Sequence, residues 1–135
     1  MSSGTTSKVR SRRRELGFLD RIRHQGAPKT PQEADALALR QLEGRGADLS
    51  KQRHVIHFVY FRTPEQAHAA AETVEAASWT AAVEPPREPI AEWCVRAEGD
   101  RVVGPETIAA FRSWFEHVAD EHGGAYDGWE AAAKP

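Results

Sequence analysis

The residues of this chain with chemistry to offer are six histidines, a single cysteine, and an aspartate set between tyrosine and tryptophan. Their spacing decides what they can do. His54 and His57 lie three apart in a β-branched, aromatic run, so strand alternation sends them to opposite faces. They can neither share a ligand nor form a catalytic pair. His117 and His122 do not align on a helix, and His24 and His68 stand alone. Cys94, between Trp93 and Val95, has the setting of a buried thiol and has no second cysteine to pair with. Asp127 has no His or Ser close by in sequence. There is no nucleophile elbow, carboxylate pair, zinc-type spacing or glycine-rich phosphate loop. The sequence therefore predicts no catalytic, cofactor-binding or metal-binding residue, and a protein that works by binding.

Charge points to what it would bind. Residues 1–30 carry eight basic and two acidic residues, a net of +6, whereas residues 31–135 carry ten basic and eighteen acidic, a net of −8. A basic arm thus precedes an acidic body. Arg10, Arg12, Arg13 and Arg14 form a candidate anion-binding arm, able to hold nucleic acid or an anionic surface by charge alone. The alternative is a solubilising tail. The aromatic run Phe58–Phe61 suggests base stacking on a sheet, but the strand that should carry a Lys/Arg-Gly-aromatic pattern reads Ile90-Ala-Glu-Trp-Cys-Val-Arg96. The acidic body would also repel a phosphate backbone. No apolar run reaches the length of a membrane span and no signal-peptide core follows the first charges, so a cytoplasmic protein is expected.

These residues need a scaffold, and 135 residues suffice for one domain. Residues 1–13 have almost nothing to bury and are expected to be disordered. Residues 14–24 read as a short basic helix with Leu16, Leu19 and Ile22 on one side. Gly26, Ala27, Pro28 and Pro31 make a linker, so residues 1–29 form an arm and residues 30–135 a domain. Thr30-Pro31-Gln32-Glu33 predicts a capping box opening a helix with Ala34, Leu37, Ala38 and Leu42 on its inner face. Arg53–Phe61 predicts a central strand, and Thr63-Pro64-Glu65-Gln66 opens a helix that buries Ala67, Ala70, Ala71 and Val74. Strands are expected at Ser78–Val83 and Ile90–Ala97, with a turn at Gly99-Asp100. Ile108, Phe111, Phe115 and Val118 mark the longest helix, ended by Gly123 and Gly124 before a last strand at Ala125–Trp129. The order from residue 51 is β-α-β-β-α-β, the ferredoxin-like pattern, giving an α+β sandwich with an extra N-terminal helix. That pattern sets the last strand antiparallel beside the first, with Tyr126–Trp129 against His57 and Phe58.

Tyr126-Asp127-Gly128-Trp129 is not explained by local propensity. Its aromatics would fill the core of a buried strand, or they mark a family. With Gly46–Phe61, whose strand has the form Val-x-His-x-x-Tyr/Phe, and with Pro64-Glu-Gln-Ala-His-Ala-Ala70, this string resembles the ribonuclease E inhibitory protein family, regulator of ribonuclease activity B. The resemblance spans roughly residues 33–130, and His57, Tyr126, Asp127, Gly128 and Trp129 are its signature. It implies a ferredoxin-like fold and no cofactor. It also implies a regulatory role: binding the noncatalytic scaffold region of ribonuclease E and lowering RNA cleavage. The family's characterised members are strongly acidic and extend into an acidic tail, whereas this sequence ends at Lys134-Pro135 and carries the basic arm instead. The fold is therefore expected to carry over more fully than the partner. Candidate partner-contacting carboxylates are Glu65, Glu72 and Glu75 on the second helix and Glu116, Asp120 and Glu121 late in the longest one. The alternative is a small α+β binding module of unknown partner, RNA-associated through its arm.

Overall fold

In the computed structural model of the chain, residues 8–10 and 28–134 are described. The elements are β1 (Lys8–Arg10), α1 (Pro31–Gly44), β2 (Gln52–Phe61), α2 (Pro64–Ala76), β3 (Thr80–Glu84), β4 (Trp93–Val102), α3 (Pro105–His122) and β5 (Ala125–Ala132). The strands form one antiparallel sheet in the order β1-β5-β2-β4-β3. The three helices among the described residues cover one face of it in an α+β arrangement. The main core joins Leu39 and Leu42 of α1, Ala67, Ala70 and Val74 of α2, and Ile108, Phe115 and Val118 of α3 to Val55, Val59, Val95 and Trp129 of the sheet.

Helix starts follow their caps. Thr63 accepts the Gln66 amide at 3.2 Å, and Gln66 reaches back to the Thr63 amide at 3.3 Å, completing the expected box. At α1 only half of the expected box forms. Thr30 Oγ1 accepts the Glu33 amide at 3.0 Å, while the Glu33 carboxylate takes the Lys29 amide at 2.7 Å instead. The inward face of α1 is also rotated from its expected position: Asp35, Ala38, Leu39 and Leu42 are buried, and Ala34 and Leu37 are only half-buried. The four inward residues expected of α2 are all buried.

The sheet departs from expectation at β4. Gly99 and Asp100 do not form a turn but continue the strand, because β2 offers ten residues for pairing and each takes a partner, Val55 opposite Gly99 and His54 opposite Asp100. Ladder hydrogen bonds here outweigh the weak strand propensity of Gly and Asp. β3 stops at Glu84, where Pro85 and Pro86 remove backbone donors. β5 lies against β2 as expected, but runs on to Ala132. Within the arm, Lys8–Arg10 depart from the expectation of disorder and pair with Ala132–Glu130 of β5. The helix expected at residues 14–24 and the side chains of Arg10, Arg12, Arg13 and Arg14 lie outside what is described.

Candidate functional site

The signature residues converge beneath the helices. In the β2–β5 ladder His57 faces Trp129 and Val59 faces Tyr126, so two residues of β5, Asp127 and Gly128, stand opposite Phe58 alone. This is a β-bulge. Gly128 has φ of 98°, a conformation that a side chain opposes. In a strand without a bulge, residues three apart, as Tyr126 and Trp129 are, would point to opposite faces. With it, both enter the helix side of the sheet.

Each is then tied to a polar partner there. Trp129 is fully buried and its Nε1–H donates to Asp35 Oδ1 at 2.9 Å. Asp35 also receives a two-pronged contact from Arg112, Nε to Oδ2 at 2.6 Å and Nη2 to Oδ1 at 2.9 Å. Arg112 Nη1 donates to Glu116 Oε2 at 3.2 Å, and the guanidinium lies 4.9 Å from the Tyr126 ring centroid. Tyr126 Oη and His57 Nδ1 are hydrogen-bonded at 2.7 Å. One network therefore ties α1, α3, β5 and β2 together. Burial works against the Arg112 charge, but the hydrogen bond and charge of Asp35 outweigh it and hold the guanidinium protonated above its ordinary range. Burial raises the Tyr126 phenol well above its ordinary value, so it stays neutral.

His57 sits among rings. It stacks on Phe115 at 4.2 Å between centroids and meets Trp79 and Phe111 edge-on at 5.1 and 5.4 Å. Burial first, then the positive charges of Arg112 and Arg101, lower its pKa well below 6.5. The unfolded chain takes up a proton below that value that folded His57 refuses. Stability is thus complete above the unfolded-state value and is lost as pH falls below it, by up to about 1.4 kcal/mol per pH unit. Urea midpoints measured between about pH 8 and pH 5 should fall with acidification, and His57→Phe should flatten that slope. Equal slopes for both proteins would remove His57 from the account.

Arg53 is a second buried cation, 1% exposed. Its Nη1 donates to the Ala132 and Ala133 carbonyls at 3.1 and 2.6 Å, and its Nη2 to the Asp48 carbonyl at 2.5 Å. Asp48 in turn accepts from the Ser50 amide at 3.0 Å and hydroxyl at 2.6 Å, fixing the turn into β2. Asp35, Arg112 and Arg53 did not stand out in the sequence. The available signal was phase: Asp35 and Arg112 fall three residues before Ala38 and Phe115, inside otherwise apolar stripes and with opposite signs.

The six candidate carboxylates, Glu65, Glu72, Glu75, Glu116, Asp120 and Glu121, are all exposed on α2 and α3. The two helices meet where Thr73 Oγ1 and His122 Nε2 lie 3.2 Å apart. Glu116 is partly committed to Arg112. The described histidines do not assemble: His54 bonds Glu98 and Asp100 at 2.8 and 3.3 Å, and His68 and His117 are exposed. Among the described residues no group of three or more His, Cys, Asp or Glu is placed to hold a metal ion, and no helix is long and apolar enough to cross a membrane.

A family model described as regulator of ribonuclease activity B matches residues 32–131, from the start of α1 almost to the end of β5. The chain belongs to that family. The match takes in His57, the Tyr126–Trp129 bulge and both helices of the Asp35–Arg112 pair. Family membership associates the chain with regulation of ribonuclease activity. No curated protein matches it.

Proposed function

We propose that this chain regulates a ribonuclease by binding it, using the acidic outer faces of α2 and α3, and that catalysis belongs to the partner. The observation that carries this reading is the family match over residues 32–131. The partner we favour is a ribonuclease E-type enzyme, engaged at its noncatalytic region so that RNA cleavage falls, in the cytoplasm and with no cofactor. The exposed carboxylates and the net charge of −8 over residues 31–135 support contact with a basic segment. The buried network supports a rigid helix layer, which lowers the ordering cost of binding. We also read the body order β5-β2-β4-β3, with helices after β2 and β4, as the ferredoxin-like arrangement.

Calorimetric titration against the noncatalytic region of the ribonuclease from the same cell tests this. A complex is expected at low salt and a weaker one at moderate salt. Glu72→Lys/Glu75→Lys should weaken it by about tenfold or more, roughly 1.4 kcal/mol. No heat at either salt from a domain shown to be folded would overturn the reading. The charge of +6 over residues 1–30 favours a second reading, RNA contact through Arg10, Arg12, Arg13 and Arg14. Binding to RNA that the full chain loses on charge reversal of those four arginines, with no ribonuclease complex, would favour it.

A further inference from the structure

The face of the sheet turned away from the helices is also buried. Ile56, Phe58, Tyr60 and Cys94, at 1, 2, 5 and 5% exposure, form a second apolar cluster that includes no side chain of α1, α2 or α3. Among the described residues, Ile90 packs against it. The same face carries carboxylates. Glu98, which already holds Arg96 and His54 at 2.7 and 2.8 Å, and Glu130 each pair with Ile56 in the ladders, and Asp127 stands in the bulge opposite Phe58. Asp127 and Glu130 are only 4 and 3% exposed. Carboxylates that deeply buried are held by cations or hydrogen-bond donors. The floor continues past Tyr60 and Cys94 into a cleft lined by Glu84, Glu88 and Glu92.

The chain supplies a segment of matching chemistry. β1 ends at Arg10, directly across from Glu130 at the border of this face, and the chain must still reach Pro31 on the helix side. Residues 11–27 make that connection, a length ample to cross a five-stranded sheet. Within them Leu16, Leu19 and Ile22 recur at helical spacing among Arg12, Arg13, Arg14, Arg21 and Arg23. We propose that this face is a docking surface whose occupant is the chain's own segment 14–24, its apolar side seated on Ile56, Phe58 and Tyr60 and its arginines on the carboxylates around them. The basic arm is then an intramolecular ligand of the acidic body.

Cys94, the chain's single cysteine, lies on this face and reports on its cover. In the full-length protein, Leu16→Asp/Leu19→Asp/Ile22→Asp should make Cys94 react with a disulfide reagent about tenfold faster or more, circular dichroism being unchanged. Equal rates would overturn the proposal. A second measurement leaves the apolar side of the segment nearly intact. A nitroxide at position 19 (Leu19→Cys in a Cys94→Ser background) should broaden the amide signals of Ile56–Tyr60 and Val95–Ala97 and spare α2. Broadening elsewhere, or none, would overturn the proposal. So would a sedimentation profile in which the triple variant turns a dimer into a monomer, since a second copy would then be the occupant.

Discussion

Asp35→Ala should cost about 3–5 kcal/mol of folding stability, the range for removing one partner of a buried ion pair. The substitution strands more than one group. Arg112, 8% exposed at its side chain, would keep the Tyr126 ring and, among the described carboxylates, the half-exposed Glu116, and the Trp129 indole N–H would lose its acceptor. The diagnostic comparison is Asp35→Leu/Arg112→Met. Replacing both charges with apolar groups of similar size removes the desolvation penalty together with the attraction, so the double variant should lose far less than the sum of the single ones. Urea denaturation of the four proteins closes the cycle. Additive losses would mean that the two side chains do not depend on each other.

Trp129→Ala should be comparably severe, at about 3–5 kcal/mol. Trp129 has no exposed surface and packs in the main core. Truncation empties the largest fully buried side-chain volume and leaves an Asp35 oxygen with one donor fewer. Trp129→Phe separates the two effects, since it keeps most of the ring volume and forfeits only the N–H bond, about 1–2 kcal/mol. A denaturation midpoint for Trp129→Ala matching that of the parent would place the indole at the surface and free it for a partner.

Much of the scaffold was legible in the sequence because its signals are local. The Thr63 box, the alanine face of α2 and the β-branched run of β2 each state their structure within a few residues. The misreadings occur where distant residues decide. β4 continues through Gly99 and Asp100 because β2 lies alongside, which no window around Gly99 contains. The α1 face is set by a salt bridge to Arg112, 77 residues away, so an apolar-only reading chose Ala34 and Leu37 over Asp35. The signature residues His57, Tyr126 and Trp129 were visible as a string, but their role depends on side-chain phase across two strands. The acidic residues of α2 and α3 were legible as exposed because charge at helical spacing away from an apolar stripe faces water.

The bulge at Asp127-Gly128 has a consequence for how this sequence can change over time. Along β5, membership of the core is a matter of parity, and the bulge is the single point at which the count is reset. Loss of one residue there would leave Tyr126 and Trp129 two apart in a regular strand and still on one face, whereas loss of Glu130 would send Trp129 and Ala131 to opposite faces. Trp129, Ala131 and Ala133, all buried, follow one unbroken alternation from the bulge onward. Substitutions along the strand are graded in their effect, whereas an insertion or deletion of one codon between Trp129 and Ala133 is not. Length variation among relatives should therefore gather in the connections, such as Pro85–Glu92, and at the bulge, and leave the spacing from Trp129 to Ala133 unchanged.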